Sequence, residues 1–135
     1  MTLVDTNVLL DLVTDDSDWF DWSRQAVETA AASEPLCVNA IIYAELSVRY
    51  DSVATVDEFL ESAGVEIVDI PRHAAFLAAK AFGDYRAAGG AMAGVLSDFF
   101  IGAHALVLGV PLLTRDVRRY RTYFPKTRLI APRLN

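Results

Sequence analysis

Four acidic residues, Asp5, Glu45, Asp98 and Asp116, occupy settings unlike those of ordinary surface carboxylates. Asp5 ends the apolar run Met1-Thr2-Leu3-Val4 and leads into Thr6-Asn7-Val8-Leu9-Leu10-Asp11. An acid at the end of a strand is either a helix N-cap or one wall of a charged site, because ligands gather at the carboxyl ends of parallel strands. Asp116 follows Leu113-Thr114-Arg115 in the same manner, and for it too a capping role is open. Glu45 lies inside Ala40-Ile41-Ile42-Tyr43-Ala44-Glu45-Leu46-Ser47-Val48, and helical spacing puts Ile41 and Val48 on its face. A carboxylate on an apolar face must be paired, protonated or bound to a cation. The first base along that helix is Arg49, which offers a local ion pair. Asp98 opens Asp98-Phe99-Phe100-Ile101-Gly102-Ala103-His104-Ala105. The helix dipole alone favours an acid there. Asp98 also heads the stripe Ile101, Ala105 and Leu108, which is expected to face inward.

Four converging acids would raise one another's pKa values unless a cation sits among them. Hard divalent cations take oxygen ligands, and Mg²⁺ keeps waters while using a few carboxylates and substrate phosphates. Zinc is disfavoured, because there is a single Cys37 and because His73 and His104 lack ligand spacing. Each histidine reads as a surface or core residue, and Cys37 as a small core residue.

The elements that must position these acids alternate between strand and helix. Short apolar runs at 2–4, 36–38, 65–70, 110–113 and 128–130 read as strands. Helical patterns cover residues 8–13, 19–32, 40–50, 53–62, 72–87, 98–108 and 115–120. Asn39 and Ser97 are the expected N-caps, Pro71 the first helical position, Gly64 and Gly109 the stops. A glycine-rich loop is expected over 89–94. This alternation predicts a three-layer α/β/α sandwich around a parallel sheet of about five strands, with residues 1–135 forming one domain. Asp5 and Asp116 then emerge at the same edge of the sheet.

Composition supports a folded chain: hydrophobic residues make up 53% of its 135 residues. No run is long enough to span a bilayer, and no cationic segment precedes an apolar one at the N-terminus, so a cytoplasmic location is expected. The net charge of −6 hides an asymmetry. Residues 111–135 carry seven bases against Asp116, whereas the first 110 residues hold five bases and seventeen acids. Such asymmetry points to a polyanion or a charged partner, or to a solvated basic face. The aromatic segment Trp19, Phe20 and Trp22 reads as core or as an interface.

The segments Asp5-Thr6-Asn7-Val8-Leu9-Leu10-Asp11, Ala44-Glu45-Leu46, Asp98 to Ala105 and Leu113-Thr114-Arg115-Asp116 resemble, in order and spacing, the four acidic motifs of PIN-domain ribonucleases. The closest likeness is to VapC-like toxins of bacterial toxin–antitoxin modules, and it covers nearly the whole chain. The resemblance implies that Asp5, Glu45, Asp98 and Asp116 hold Mg²⁺ or Mn²⁺, with Asn7 and Thr114 supporting the site. It implies cleavage of RNA phosphodiester bonds, an antitoxin partner and a homodimer. Arg115, Arg118, Arg119 and Arg121 are the candidates for gripping RNA phosphates, or an acidic stretch of a partner. Ser97 stands where close relatives carry proline, a departure that bears on the cap and not on the chemistry. The alternatives are a PIN-domain nuclease that processes RNA without being a toxin, and a non-catalytic binding module whose acids are caps. A phospho-acceptor receiver domain needs an acidic pair after its first strand, where Thr6 and Asn7 stand here. An aspartyl-phosphate phosphohydrolase needs an aspartate at the position of Asn7.

Overall fold

The computed structural model describes residues 1–91 and 95–133. Five strands, β1 (Thr2–Val4), β2 (Leu36–Val38), β3 (Val65–Ile67), β4 (Leu112–Leu113) and β5 (Leu129–Ile130), form one parallel sheet in the order β3-β2-β1-β4-β5. All residues of β1, β2 and β4 are buried, as expected for central parallel strands covered by helices on both faces. The edge strands differ: only Val65 of β3 is buried, and Leu129 and Ile130 of β5 are half-buried. Seven helices complete the α/β/α sandwich among the described residues: α1 (Thr6–Val13), α2 (Phe20–Ser33), α3 (Ala40–Ser47), α4 (Val53–Ser62), α5 (Arg72–Ala87), α6 (Leu96–Leu108) and α7 (Arg118–Tyr123). None of them is long and apolar enough to cross a membrane.

The strand order reverses between β1 and β4. In such sheets the crevice outside the carboxyl ends at that switch point is where ligands sit. Registry makes this concrete: Val4 pairs with Leu113, and the Asp5 amide donates to the Leu113 carbonyl at 2.8 Å. Asp5 and Thr114 therefore leave the sheet side by side. Helix α6 is buried along most of its length and packs heavily on α5. Phe124, at the end of α7, lies against Gly102 of α6, where a Cβ would stand 2.4 Å from the ring. That close approach seats α7 beside the start of α6, which carries Asp98.

Several local expectations are corrected. Ser97 does not cap α6; the N-cap is Val95, without a side-chain bond, and Ser97 is the second helical residue. Pro71 is the N-cap of α5, one position ahead of the expected N1, with extended backbone (ψ 150°). Helix α3 ends at Ser47, α7 begins three residues later than expected, and β3 stops at Ile67. Leu108 is 41% exposed, so the inward stripe of α6 ends at Ala105. The loop expected over 89–94 lies outside the described residues from 92 to 94.

Candidate metal centre

Asp5 is at once a cap and a site residue. Its Oδ1 accepts the Thr6 amide at 2.7 Å, which caps α1. Its Oδ2 accepts the Thr114 hydroxyl at 2.8 Å, the Tyr120 hydroxyl at 2.9 Å and the Asn7 amide nitrogen at 3.3 Å. The side chain is 4% exposed. Burial pushes its carboxyl from 3.8 up to about 6; the Thr114 and Tyr120 bonds oppose that rise, and the nearby Asp98 charge adds to it. Burial, followed by the charges of Asp5 and Asp98, drives the Tyr120 hydroxyl well above its usual range, so Tyr120 remains a donor.

Asn7 and Thr114 knit the two strand ends together. Asn7 Nδ2 also donates to Thr114 Oγ1 at 3.3 Å, and its Oδ1 accepts the Arg115 amide at 3.2 Å. The Asp116 amide donates to Thr114 Oγ1 at 3.1 Å, which fixes the Asp116 backbone to the same hydroxyl that holds Asp5. The Asp116 side chain itself is exposed.

Glu45 is half-buried, and its partners come from elsewhere in the chain. Thr6 Oγ1 donates to Oε1 at 2.6 Å and Ser97 Oγ to Oε2 at 3.3 Å. No ion pair between Arg49 and Glu45 exists among the described residues, and Val48 is 83% exposed, so the apolar face proposed for Glu45 is not formed on that side. Asp98 receives the Arg119 guanidinium. Burial nonetheless raises its carboxyl, Arg119 pulling the other way while Glu45 and Asp116 add repulsion. Asp98 thus senses Glu45 and Asp116, and Asp5 senses Asp98.

These carboxylates and hydroxyls form an all-oxygen donor set suited to a hard divalent cation. Asp5 Oδ1 carries only the Thr6 amide, which leaves it lone-pair capacity. A cation of the protein's own, Arg119, already sits on Asp98. Among the described residues no three acids stand close enough to hold one ion in this arrangement. The donor chemistry fits a hard cation, while in this arrangement Arg119 takes up the Asp98 carboxylate.

Thr6, Tyr120 and Ser97 were not identified as site residues from the sequence. The position of Ser97 beside Asp98 was the only local signal. His104 is a buried core residue whose Nδ1 lies 3.0 Å from the Asn39 amide nitrogen, and burial lowers its pKa. Of the four arginines, Arg115 is taken up by Asp11: Nε and Nη2 meet the two carboxylate oxygens at 2.7 and 2.9 Å, and the guanidinium lies 4.9 Å from the Trp19 ring. Arg118 and Arg121 are exposed.

The sequence profile of the PIN domain matches residues 2–125. No curated protein matches the chain. Its fold is similar to that of VapBC2 from Rickettsia felis bound to a DNA fragment from its promoter, at 17% identity and a TM-score of 0.73 over 98% of both chains. A toxin–antitoxin complex from Klebsiella pneumoniae is similar at 21% identity and a TM-score of 0.69, with 96% of each chain covered. VapBC-1 from nontypeable Haemophilus influenzae is similar at 16% identity and a TM-score of 0.72, again over 96% of each.

Proposed function

Because the chain belongs to the PIN-domain family, we propose that it is a Mg²⁺- or Mn²⁺-dependent endoribonuclease acting as the toxin of a toxin–antitoxin pair. The observation that supports this reading best is the placement of Asp5, Glu45, Asp98 and Asp116 around the carboxyl edge of the sheet, with Asp5 buried and Asp98 under the repulsion of two other acids. A set of mere caps does not account for Glu45, which lies in the interior of α3 and is held by Thr6 and Ser97.

Asp5, Asp98, Glu45 and Asp116 are the residues that would hold the ion, Asn7 and Thr114 those that keep Asp5 in place. A bound divalent ion supplies a Lewis acid for the scissile phosphate and a more acidic water. Thr114, Tyr120 and Asn7 fix Asp5 Oδ2, so that Oδ1 is the oxygen left to face the reaction. A carboxylate of the cluster accepts the proton of the attacking water. The water oxygen bonds to phosphorus while the bond to the 3′ oxygen breaks, leaving 5′-phosphate and 3′-hydroxyl ends. Arg118 and Arg121, exposed on α7, grip flanking phosphates. Lys126 and Arg128 lie with Met1 and Pro111 at the opposite, amino edge of the sheet, so RNA on this side is left with the arginines of α7.

The partner is an antitoxin that lays an amphipathic helix against the chain and reaches the acids with a basic residue. The similar solved structure from Klebsiella pneumoniae is a toxin–antitoxin complex, and that from Rickettsia felis is VapBC2. The half-buried Trp19, Phe20 and Trp22 are the proposed apolar contact. The same reading takes the chain as a single nuclease domain, homodimeric and cytoplasmic. The test is cleavage of RNA by the purified protein, with sequencing of the ends. Cleavage should need Mg²⁺ or Mn²⁺, and both cleavage and growth inhibition should vanish in Asp5→Asn and Asp98→Asn. Variants that cleave as well as the parent would refute the site.

A further inference from the structure

Beside the acids, between the turn that ends α5 and the outer side of α7, lies an open cavity of about 610 Å³. Its size is in the range of about 300–1,000 Å³ usual for small-molecule sites. Asp116 and Arg119 are in its wall, so the cavity is continuous with the proposed metal centre. Its aromatic wall is rigid. Gly90 presses on the Tyr85 ring so closely that a Cβ there would stand 2.1 Å from Cε2, and Arg119 lies over Tyr85 at 5.4 Å. Tyr85 is half-buried, with Arg119 taking one side of its ring. Tyr123, tilted at 44° to Tyr85 and edge-on to Phe99 at 5.2 Å, is held by its neighbours but half-buried, and it lines the cavity. Arg118, exposed and free of ion pairs among the described residues, stands in the same wall.

An anchored aromatic ring beside an unpaired guanidinium is the pairing that binds unstacked nucleotides. The ring stacks on a base, and the cation takes the phosphate. A base inside a duplex cannot reach such a recess, whereas one in a single strand can turn into it. An acidic peptide would use Arg118 but has no need of the aromatic wall. We infer that this cavity seats one unpaired nucleotide of the RNA next to the scissile phosphate, with its base on Tyr123 and its phosphate on Arg118. The inference rests on the RNA-cleaving reading and adds to it a seat for one base on Tyr123.

The test is equilibrium binding, by fluorescence anisotropy, of a labelled single-stranded oligouridylate and of an abasic chain of the same length, in Ca²⁺ buffer with the RNA verified intact. Proteins compared are the parent, Tyr123→Phe and Tyr123→Leu, with folding checked by thermal melting. Tyr123→Leu keeps an apolar side chain against Phe99 and should bind the oligouridylate about tenfold more weakly, the worth of one stacked base. It should bind the abasic chain as the parent does, and Tyr123→Phe should match the parent on both. Equal affinity of parent and Tyr123→Leu for the oligouridylate overturns the site, as does an equal loss on the abasic chain. Displacement by a polyglutamate peptide as effective as by free RNA would show a peptide site instead. If the parent binds neither chain, the RNA-cleaving reading itself falls.

Discussion

Asp11 pairs with Arg115 and Asp98 with Arg119, both arginines coming from the segment after β4. Asp11 is 2% exposed, meets Arg115 through both oxygens and also accepts the Ser23 hydroxyl at 2.6 Å. The Arg115 guanidinium in turn packs on Trp19. This pair closes α1, α2 and the loop after β4 into one unit. Asp98 is held by one nitrogen of Arg119, and both side chains are about a quarter exposed. Burial, with smaller repulsion from Glu45 and Asp116, raises the Asp98 carboxyl against the pull of Arg119. One acid is neutralised by its arginine, while the other belongs to a cluster whose negative charge one arginine cannot balance. Scaffold and site are thus separated by charge balance and not by residue type.

If that contrast is right, removing the two acids should move stability in opposite directions. Asp11→Ala leaves the partly exposed Arg115 guanidinium unpaired and the buried Ser23 hydroxyl without its acceptor, and should destabilise the protein by about 1–3 kcal/mol, read by urea denaturation. Asp98→Asn relieves repulsion and should leave the metal-free protein at least as stable as the parent. Equal losses in both variants would erase the distinction.

The acid cluster should also declare itself through pH. The Asp5 carboxyl titrates near 6 in the fold against 3.8 ordinarily, so between those values the folded chain holds a proton that the unfolded chain has released. Metal-free stability should therefore fall as pH rises from about 4 to about 6, with a deficit approaching ~3 kcal/mol fully present above that window. Asp5→Asn should flatten this dependence in thermal melts. Added Mg²⁺ should restore more stability at pH 7.5 than at pH 5, because it binds the ionised form. Arg119→Gln carries the smallest effect. Loss of a partly exposed ion pair, worth up to ~1 kcal/mol, should raise Mn²⁺ affinity by about two- to fivefold.

The same contrast governs how much was legible in the sequence. Strands β1 and β2 and helices α4 and α5 were found at their bounds, because apolar runs end at Asp5, Asn39, Gly64 and Pro71. Those residues act locally, through caps, a left-handed turn and a fixed φ. Asp5, Glu45 and Asp98 drew attention because each borders or interrupts an apolar run, and Asp116 because it follows β4 at the edge where Asp5 follows β1. Asp11–Arg115 and Tyr120–Asp5 were not, since their partners lie 104 and 115 residues apart. Only the strand order brings them together. Ser97 was misassigned for the converse reason: it suits a cap locally, but Glu45 of another helix claims its hydroxyl.

The most direct measurement is equilibrium Mn²⁺ binding to the purified parent, Asp98→Asn and Asp11→Asn, each verified as folded. The parent and Asp11→Asn should bind with similar affinity and Asp98→Asn at least about tenfold more weakly, as expected when a metal-site side chain is lost. Unchanged binding in Asp98→Asn, or no binding by the parent, would contradict the assignment of these acids to a metal centre.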